Sequence, residues 1–266
     1  MTEHPYRHIH ICGPPRSGTT LLVEMMRSSY EWDWAPAEEI FLRELVKPHE
    51  GRCLTKRPSG GVFARTLLSH PSIWLIYCIR DPRDVICSVH GMAPDRYWSG
   101  FDVWRRLRKP FNKLKSNPKL IAIRYEDLVS DPDKVQQALE TQIHWLEPVA
   151  TFSQYHTRVD PSEQHMLALG TLRAPDTASI GRWRQHLPRV AGQLALHGSI
   201  QKELVEEGYE QDEDWLEALE GITPDMSPSF IADKRSVWLT FRQWCRFQAI
   251  RLVLQLSILR WRMLKR

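Results

Sequence analysis

From Gly13 to Thr20 the chain reads Gly-Pro-Pro-Arg-Ser-Gly-Thr-Thr, between a β-prone run and a helical pattern. Successive backbone N–H groups at such a turn make a concave anion site, and the helix that follows adds partial positive charge. Gly13 and Gly18 let the backbone come close to an anion. Their spacing is that of a phosphate-binding loop, yet Thr19 stands where the usual loop carries Lys, and the cation is Arg16, inside the loop. A nucleoside-triphosphate enzyme works with Lys on the terminal phosphates and Mg²⁺ beside it. Arg16 with the hydroxyls of Ser17, Thr19 and Thr20 suits instead an oxyanion donor handled without metal. The plainer alternative is a strand–helix turn that binds nothing.

The elements that must position this loop follow from apolar periodicity. His8 to Cys12 predicts a short strand, and Thr19 to Ser29 a helix with Leu21, Leu22, Met25 and Met26 on one side. Arg52 to Lys56 fits a second strand. Ile73 to Ile79 is apolar throughout, as in a strand buried on both faces of a parallel sheet. Asp81 and Pro82 then open a helix as cap and first residue. Lys119 to Arg124 predicts a fourth strand, followed by a helix from Ser130-Asp131-Pro132 to about Trp145. Strands alternating with helices predict an α/β, P-loop-like three-layer fold: a central parallel sheet, flanking helices and a C-terminal helical extension.

Pro15-Arg-Ser-Gly-Thr-Thr20 resembles the 5′-phosphosulfate loop of sulfotransferases that use 3′-phosphoadenylyl sulfate (PAPS). Arg80-Asp-Pro-Arg-Asp-Val-Ile-Cys-Ser88 resembles the 3′-phosphate site of that family, where an Arg after the third strand and a Ser eight positions later clamp the phosphate. Arg80 is expected at a strand's C-terminal edge, where open α/β sheets bind ligands, and Ser88 two turns into the next helix. A guanidinium fork holds phosphate strongly and directionally. Taken alone, Arg80 fits equally a salt bridge to Asp81 or Asp84. Arg124-Tyr-Glu-Asp-Leu128 resembles the strand-end motif whose Tyr, here Tyr125, contacts the adenine. Gly181-Arg-Trp-Arg184 resembles the late loop that closes over the nucleotide, with Arg182 as its cation; a basic-aromatic surface cluster is the other reading. The resemblance spans roughly residues 8–210. It implies PAPS as co-substrate, adenosine 3′,5′-bisphosphate (PAP) as product, and no metal.

Sulfuryl transfer needs an acceptor attacking sulfur in line with the departing phosphate oxygen, and a cation or donor where negative charge grows. A hydroxyl acceptor also needs a base within hydrogen-bond reach. Lys56 in Thr55-Lys-Arg-Pro58 resembles the family Lys that serves the leaving oxygen, with Arg16 beside it; without the resemblance Lys56 reads as a solvated strand-end residue. Members acting on small phenols and steroids carry a His base shortly after this Lys, and here Arg57 and Pro58 stand instead. Carbohydrate- and protein-modifying members share a Glu after the first helix, a pattern that Ala37-Glu-Glu-Ile-Phe41 fits. The resemblance therefore implies Glu39 as general base, with Glu38 as the fallback. His49, His70, His90 and His186 have no such context and read as structural or surface residues. Tyr97, Trp98, Phe101 and Trp104, beside Arg105 and Arg106, fit either an acceptor pocket or the core of a helical lid.

Composition sets the outer bounds. The 266 residues are 42% hydrophobic and 26% charged, which excludes collagen-like, low-complexity and wholly disordered chains. Five cysteines without a CxxC or Cys/His cluster argue against a disulfide scaffold or metal centre and for reduced, buried thiols. From Lys234 to Arg266 there are nine Lys/Arg and no acid; residues 1–233 carry 27 basic and 32 acidic groups, a net of −5. The basic pI is thus a property of the tail and no sign of nucleic-acid binding by the body. Residues 203–220, with nine carboxylates and no Lys or Arg, are one candidate partner if that tail packs on the body. The tail reads as one basic, aromatic-rich helix that either packs on the body or a second copy, or contacts a membrane surface peripherally. Residues 1–220 are expected to form the PAPS-binding domain, and 221–266 a linker and this helix. No signal-like run opens the sequence and no stretch is apolar enough to span a bilayer, so a cytoplasmic enzyme is expected. The expected activity is transfer of a sulfuryl group to a hydroxyl of a carbohydrate, lipid or other metabolite. A P-loop kinase with an atypical loop and a non-catalytic, membrane-associated nucleotide-fold protein are the alternatives.

Overall fold

A computed structural model describes residues 6–40, 51–231 and 237–264. Phe41, His49, Lys234 and Arg235 lie outside them, as do the side chains of Trp238, Phe241 and Trp244. In chain order the first half contains β1 (Arg7–Cys12), α1 (Thr19–Ser29), β2 (Arg52–Lys56), α2 (Ala64–Leu68), β3 (Ile73–Ile79) and α3 (Pro82–Ile86). A hairpin follows, β4 (Val89–His90) and β5 (Ala93–Tyr97), then α4 (Phe101–Asn112), β6 (Leu120–Arg124), α5 (Tyr125–Ser130) and α6 (Pro132–Gln142). The last part holds α7 (Glu163–Leu169), α8 (Leu187–His197), α9 (Gln201–Glu206) and α10 (Val237–Leu264).

The central sheet has four parallel strands in the order β2-β1-β3-β6. Alternate residues divide its two faces, as the period of a strand requires. Ile9, Ile11, Ile76, Cys78, Ile121 and Ile123 pack under α1, α5 and α6 through Leu22, Met25, Leu128 and Leu139. Ile73, Leu75, Tyr77 and Leu120 face the opposite layer, where Leu67 of α2, Phe111 of α4 and Leu254 of α10 close the core. This is the expected three-layer architecture. The strand ends also fix where chemistry can occur: the loop after β1, Lys56 ending β2, Arg80 after β3 and Tyr125 after β6 all leave the same C-terminal edge.

Residues 94–118 are more regular than the sequence implies. They form β5 and the amphipathic α4, which buries Phe101, Val103, Trp104, Leu107 and Phe111 and tolerates Pro110 near its end. Phe101 and Trp104 are therefore core, and Phe111 stacks on Tyr77 with 4.4 Å between ring centroids. Of the two readings of this stretch the core one holds for Phe101 and Trp104, and Arg105 donates to Glu203 and to the carbonyls of His197 and Ser199. The acidic stretch is likewise engaged by the body, through Arg105–Glu203, Arg108–Glu206 and Arg83–Glu210. Residues 225–229, where a linker is expected, lie against α8, and Phe230 and Ile231 bond to the carbonyls of Tyr97 and Trp98. Fully buried Arg189 donates to the carbonyls of Ile86, Ser99 and Ser227 and to Ser229 Oγ. A Cβ on Gly192 would stand 1.9 Å from Asp225 O.

One polar ladder crosses the apolar sheet. Thr55 Oγ1 lies 2.7 Å from His8 Nε2 and 2.9 Å from His10 Nδ1. Burial, and then the charge of Arg57, push the His10 imidazole from 6.5 down to about 3. The folded form holds the neutral ring, whereas the unfolded chain takes up a proton below pH 6.5. This contribution to stability is full above that pH and is lost as pH falls toward 3. Urea midpoints are expected to decline through this window, and His10→Gln to flatten the slope; identical slopes for the two proteins would reject the assignment.

Candidate active site

The loop after β1 is shaped by contacts that exclude side chains. A Cβ on Gly13, at φ 147°, would lie 2.5 Å from the carbonyl oxygen of Cys78 on β3. One on Gly18, at φ 85°, would lie 2.7 Å from the Tyr125 ring. Gly18 caps α1 without a side chain, so the first N–H groups of this 11-residue helix are left to the loop. Arg16, at φ 70°, is the one non-glycine among the described residues with positive φ, a conformation costing roughly 1–2 kcal/mol. It sends the guanidinium across to the β3 side of the site, where Nε donates to Ser88 Oγ at 3.0 Å and a terminal nitrogen to Ala168 O at 2.7 Å. Arg80 is buried beside it, donating to Arg16 O at 2.9 Å and to Ser179 O at 2.7 Å. Its guanidinium carbon sits 4.2 Å from the centroid of the Tyr125 ring, and its buried Nε has no acceptor among the described residues.

These groups open on a cavity of about 690 Å³, within the range of small-molecule sites. Of the residues predicted to bind a nucleotide, Arg16, Gly18, Thr19, Thr20, Arg80, Ser88, Tyr125 and Arg182 line it; Ser17 is buried outside its lining. Burial, then the neighbouring Arg80, lower the Arg16 guanidinium to about 10, which leaves it charged at neutral pH. Asp84, one acid on the wall, accepts from the N–H groups of Gly181 and Trp183, both at 2.8 Å, and so ties the 181–184 loop to α3. Burial raises its pKa. Asp176 is paired with Arg173 at 2.7 Å. Arg83, also in the Arg80–Ser88 motif, serves structure: it pairs with Asp81 and Glu210 and lies over the rings of Trp183 and Trp215.

Next to the cavity, Lys56 Nζ donates to Thr20 Oγ1 at 3.0 Å and stands 3.1 Å from Glu39 Oε1. The Lys56 side chain is 4% exposed and that of Glu39 27%. Burial pushes the Lys56 ammonium below its ordinary value, and the Glu39 carboxylate opposes the shift. Glu38 is exposed and forms no ion pair within the described residues. Backbone bonds hold the Glu39 segment: Arg27 donates to Pro36 O, Ser162 Oγ to Ala37 O at 3.0 Å, and Arg57 to Ile40 O at 2.8 Å. Arg57 thus steadies the chain next to Glu39. Buried Glu24 joins two of these supports, since it pairs with Arg27 and with His165 of α7.

Two features differ from expectation. Ser88 is not inside a helix. α3 ends at Ile86, and Ser88 leads into β4, its carbonyl accepting the Trp98 N–H at 2.9 Å. The hairpin bond outcompetes a further helical turn, and it turns the Ser88 hydroxyl to Arg16. His90, a structural or surface residue by sequence context alone, lines the cavity, stacks on Trp98 with centroids 4.3 Å apart, and accepts the Met92 N–H on Nδ1 at 3.1 Å. Burial, followed by the charges of Arg16 and Lys56, lowers it to about 4, so the ring is neutral at pH 7. No local motif marks it; only the β4–β5 hairpin brings it there. Among the described residues no group of His, Cys, Asp and Glu is arranged to hold a metal ion.

No family model and no curated protein matches this sequence. Solved structures do match its fold. The sulfotransferase domain of the Synechococcus PCC 7002 olefin synthase aligns with a TM-score of 0.54 at 17% identity, covering 79% of this chain and 97% of that one. Mouse sulfotransferase SULT7A1, complexed with PAP, aligns at 0.50 and 15% identity, covering 82% and 90%. The chain has the fold of these sulfotransferases.

The Asp84 clamp is open to direct test. Asp84→Ala leaves two buried N–H groups without their acceptor and is expected to cost about 2 kcal/mol of stability. Amide exchange in residues 179–184 is expected to rise more than in β1 or β3; uniform exchange across the chain would show that the loop is held by something else.

Proposed function

We propose that this protein is a PAPS-dependent sulfotransferase of the Glu-base type, working in the cytoplasm on a hydroxyl of a carbohydrate, lipid or other small metabolite. The observation that carries this reading is the meeting of Lys56 with both Thr20 of the anion loop and Glu39, beside an arginine-rich cavity. The residues fit such a donor. The N–H groups that open α1, left without a side-chain cap, suit its 5′ end, and Arg80, whose buried Nε is unmatched among the described residues, and Ser88 suit its 3′-phosphate. In this reading residues 1–220 form the transferase unit, and 221–266 add the segment against α8 and the basic helix.

The donor supplies a sulfur centre whose bond to the bridging phosphate oxygen breaks as a bond to the acceptor oxygen forms. Lys56 and Arg16 answer the charge that accumulates on the phosphate side as preorganised cations, the lysine buried. Glu39 takes the acceptor's proton, and its partial exposure leaves it reachable by an acceptor while Lys56 turns toward the leaving oxygen. Arg182 and Tyr125 hold the nucleoside, positioned by the Asp84 clamp and by the close approach of Gly18.

Glu39→Gln is expected to lower sulfuryl turnover by roughly 10²–10⁴-fold and Lys56→Met by a similar factor, with PAP binding retained in both. Full activity of Glu39→Gln would reject Glu39 as the base. In a thermal-shift assay, PAP at about 100 times its dissociation constant should stabilise the protein by ~2.7 kcal/mol, or roughly 5–10 °C. A shift with ATP and Mg²⁺ but none with PAP would instead favour the kinase reading.

A further inference from the structure

α10 carries more apolar surface than its packing uses. One face docks on the body: Leu254 and Ile258 are buried, Phe247 and Ile250 are partly buried, and the Phe63 and Phe247 rings meet edge-on at 5.5 Å. Arg262 fastens the far end by donating to Ser69 O at 2.8 Å. On the opposite side Leu252, Leu256, Leu259 and Met263 follow one another at steps of four, three and four residues, which aligns them in a single stripe. They are 57%, 56%, 52% and 71% exposed. Exposed Arg246 and Arg260 border the stripe on one side and Arg251 on the other. A helix in contact with the body on one face alone would carry polar residues on the other.

We propose that this outward stripe seats α10 on an anionic membrane surface, with its leucines and methionine at the headgroup boundary and its arginines on lipid phosphates. The charge pattern selects this occupant. No acid occurs between Lys234 and Arg266, so two copies paired stripe to stripe would set arginine against arginine with no carboxylate between them. Glu203, Glu206 and Glu210 of the acidic segment are already engaged by arginines of the body. Anionic lipid supplies the missing counter-charge and the apolar boundary together. The rest of the chain, with its net of −5, is repelled by the same surface, so the protein is held by this helix in one orientation. The helix lies on the bilayer and does not cross it: no helix of the described residues is long and apolar enough to span.

The full chain is to be mixed with phosphatidylglycerol–phosphatidylcholine vesicles and with pure phosphatidylcholine vesicles, and bound protein measured by flotation. Binding is expected to be at least about tenfold stronger to the anionic vesicles and to weaken at high salt. The double variant Leu256→Glu, Leu259→Glu is expected to abolish it while leaving the melting temperature and the PAP-induced shift of wild type unchanged, because both side chains face solvent. Equal or absent binding to the two vesicle types would overturn the proposal. So would a dimer in light scattering that the double variant dissolves without any vesicle binding, which would assign the stripe to a second copy. These readouts do not depend on sulfuryl transfer, so failure here and failure of the enzymatic reading can be told apart.

Discussion

Two guanidinium groups of like charge, the half-buried Arg16 and the buried Arg80, stand against one cavity, and much of the C-terminal edge of the sheet is organised around keeping them there. Their repulsion and their lost hydration are met by oxygen acceptors drawn from distant segments: the carbonyls of Arg16 itself, Ala168 and Ser179, and the hydroxyl of Ser88. The Tyr125 ring face adds a further contact to Arg80. Uncompensated burial of charge costs far more than such contacts return individually, so the acceptors must hold their places together. An anion in the cavity would complete the arrangement, since it supplies the charge that neutral carbonyls do not.

That requirement explains the support behind residues 163–184. α7, which leads into the Ala168 carbonyl, is tied to α1 by the buried Glu24–His165 pair and capped by Ser162, whose hydroxyl also reaches Ala37 O. The 179–184 stretch is fastened by Asp84. Glu39 belongs to the same network through Arg27, which bonds both Glu24 and Pro36 O. The cavity wall and the segment carrying Glu39 are therefore braced from one helix, α1, whose N-terminus forms part of the anion loop. Positioning of the donor end and of the Lys56–Glu39 pair is mechanically shared.

Away from the site, charge is distributed with the opposite logic. Carboxylates of residues 203–210 answer arginines of α3 and α4, which neutralises the body's own cations. Among the described residues Arg262 of α10 meets an acceptor at Ser69 O, and the helix turns an apolar stripe outward among its arginines. A chain with modest net charge thus has a weakly acidic body and a strongly basic edge.

Strong periodicity and sharp punctuation were enough to read the sheet from the sequence. Arg52–Lys56 and Ile73–Ile79 are strands at their expected bounds, and Thr19–Ser29 a helix, because each is a short apolar pattern closed by Gly, Pro or Asp. The anion loop was equally legible, since its glycines are dictated by contacts of the backbone itself. Local pattern could not show what depends on partners far along the chain. Ser88 leaves helix α3 because a hairpin bond from Trp98 captures its carbonyl, and His90 reaches the cavity on that same hairpin. Trp104 and Phe101 are core because α4 lays them there, although basic neighbours made them resemble a binding surface. The separation of Glu39, at Lys56, from solvent-facing Glu38 rests on bonds to the neighbouring backbone from Arg27, Arg57 and Ser162, the last reaching Ala37 from 125 positions away. Sequence determined which groups are available and which strand ends present them; only tertiary structure decided which of two adjacent carboxylates meets the lysine, because that choice is made by long-range hydrogen bonds that leave no local periodic trace.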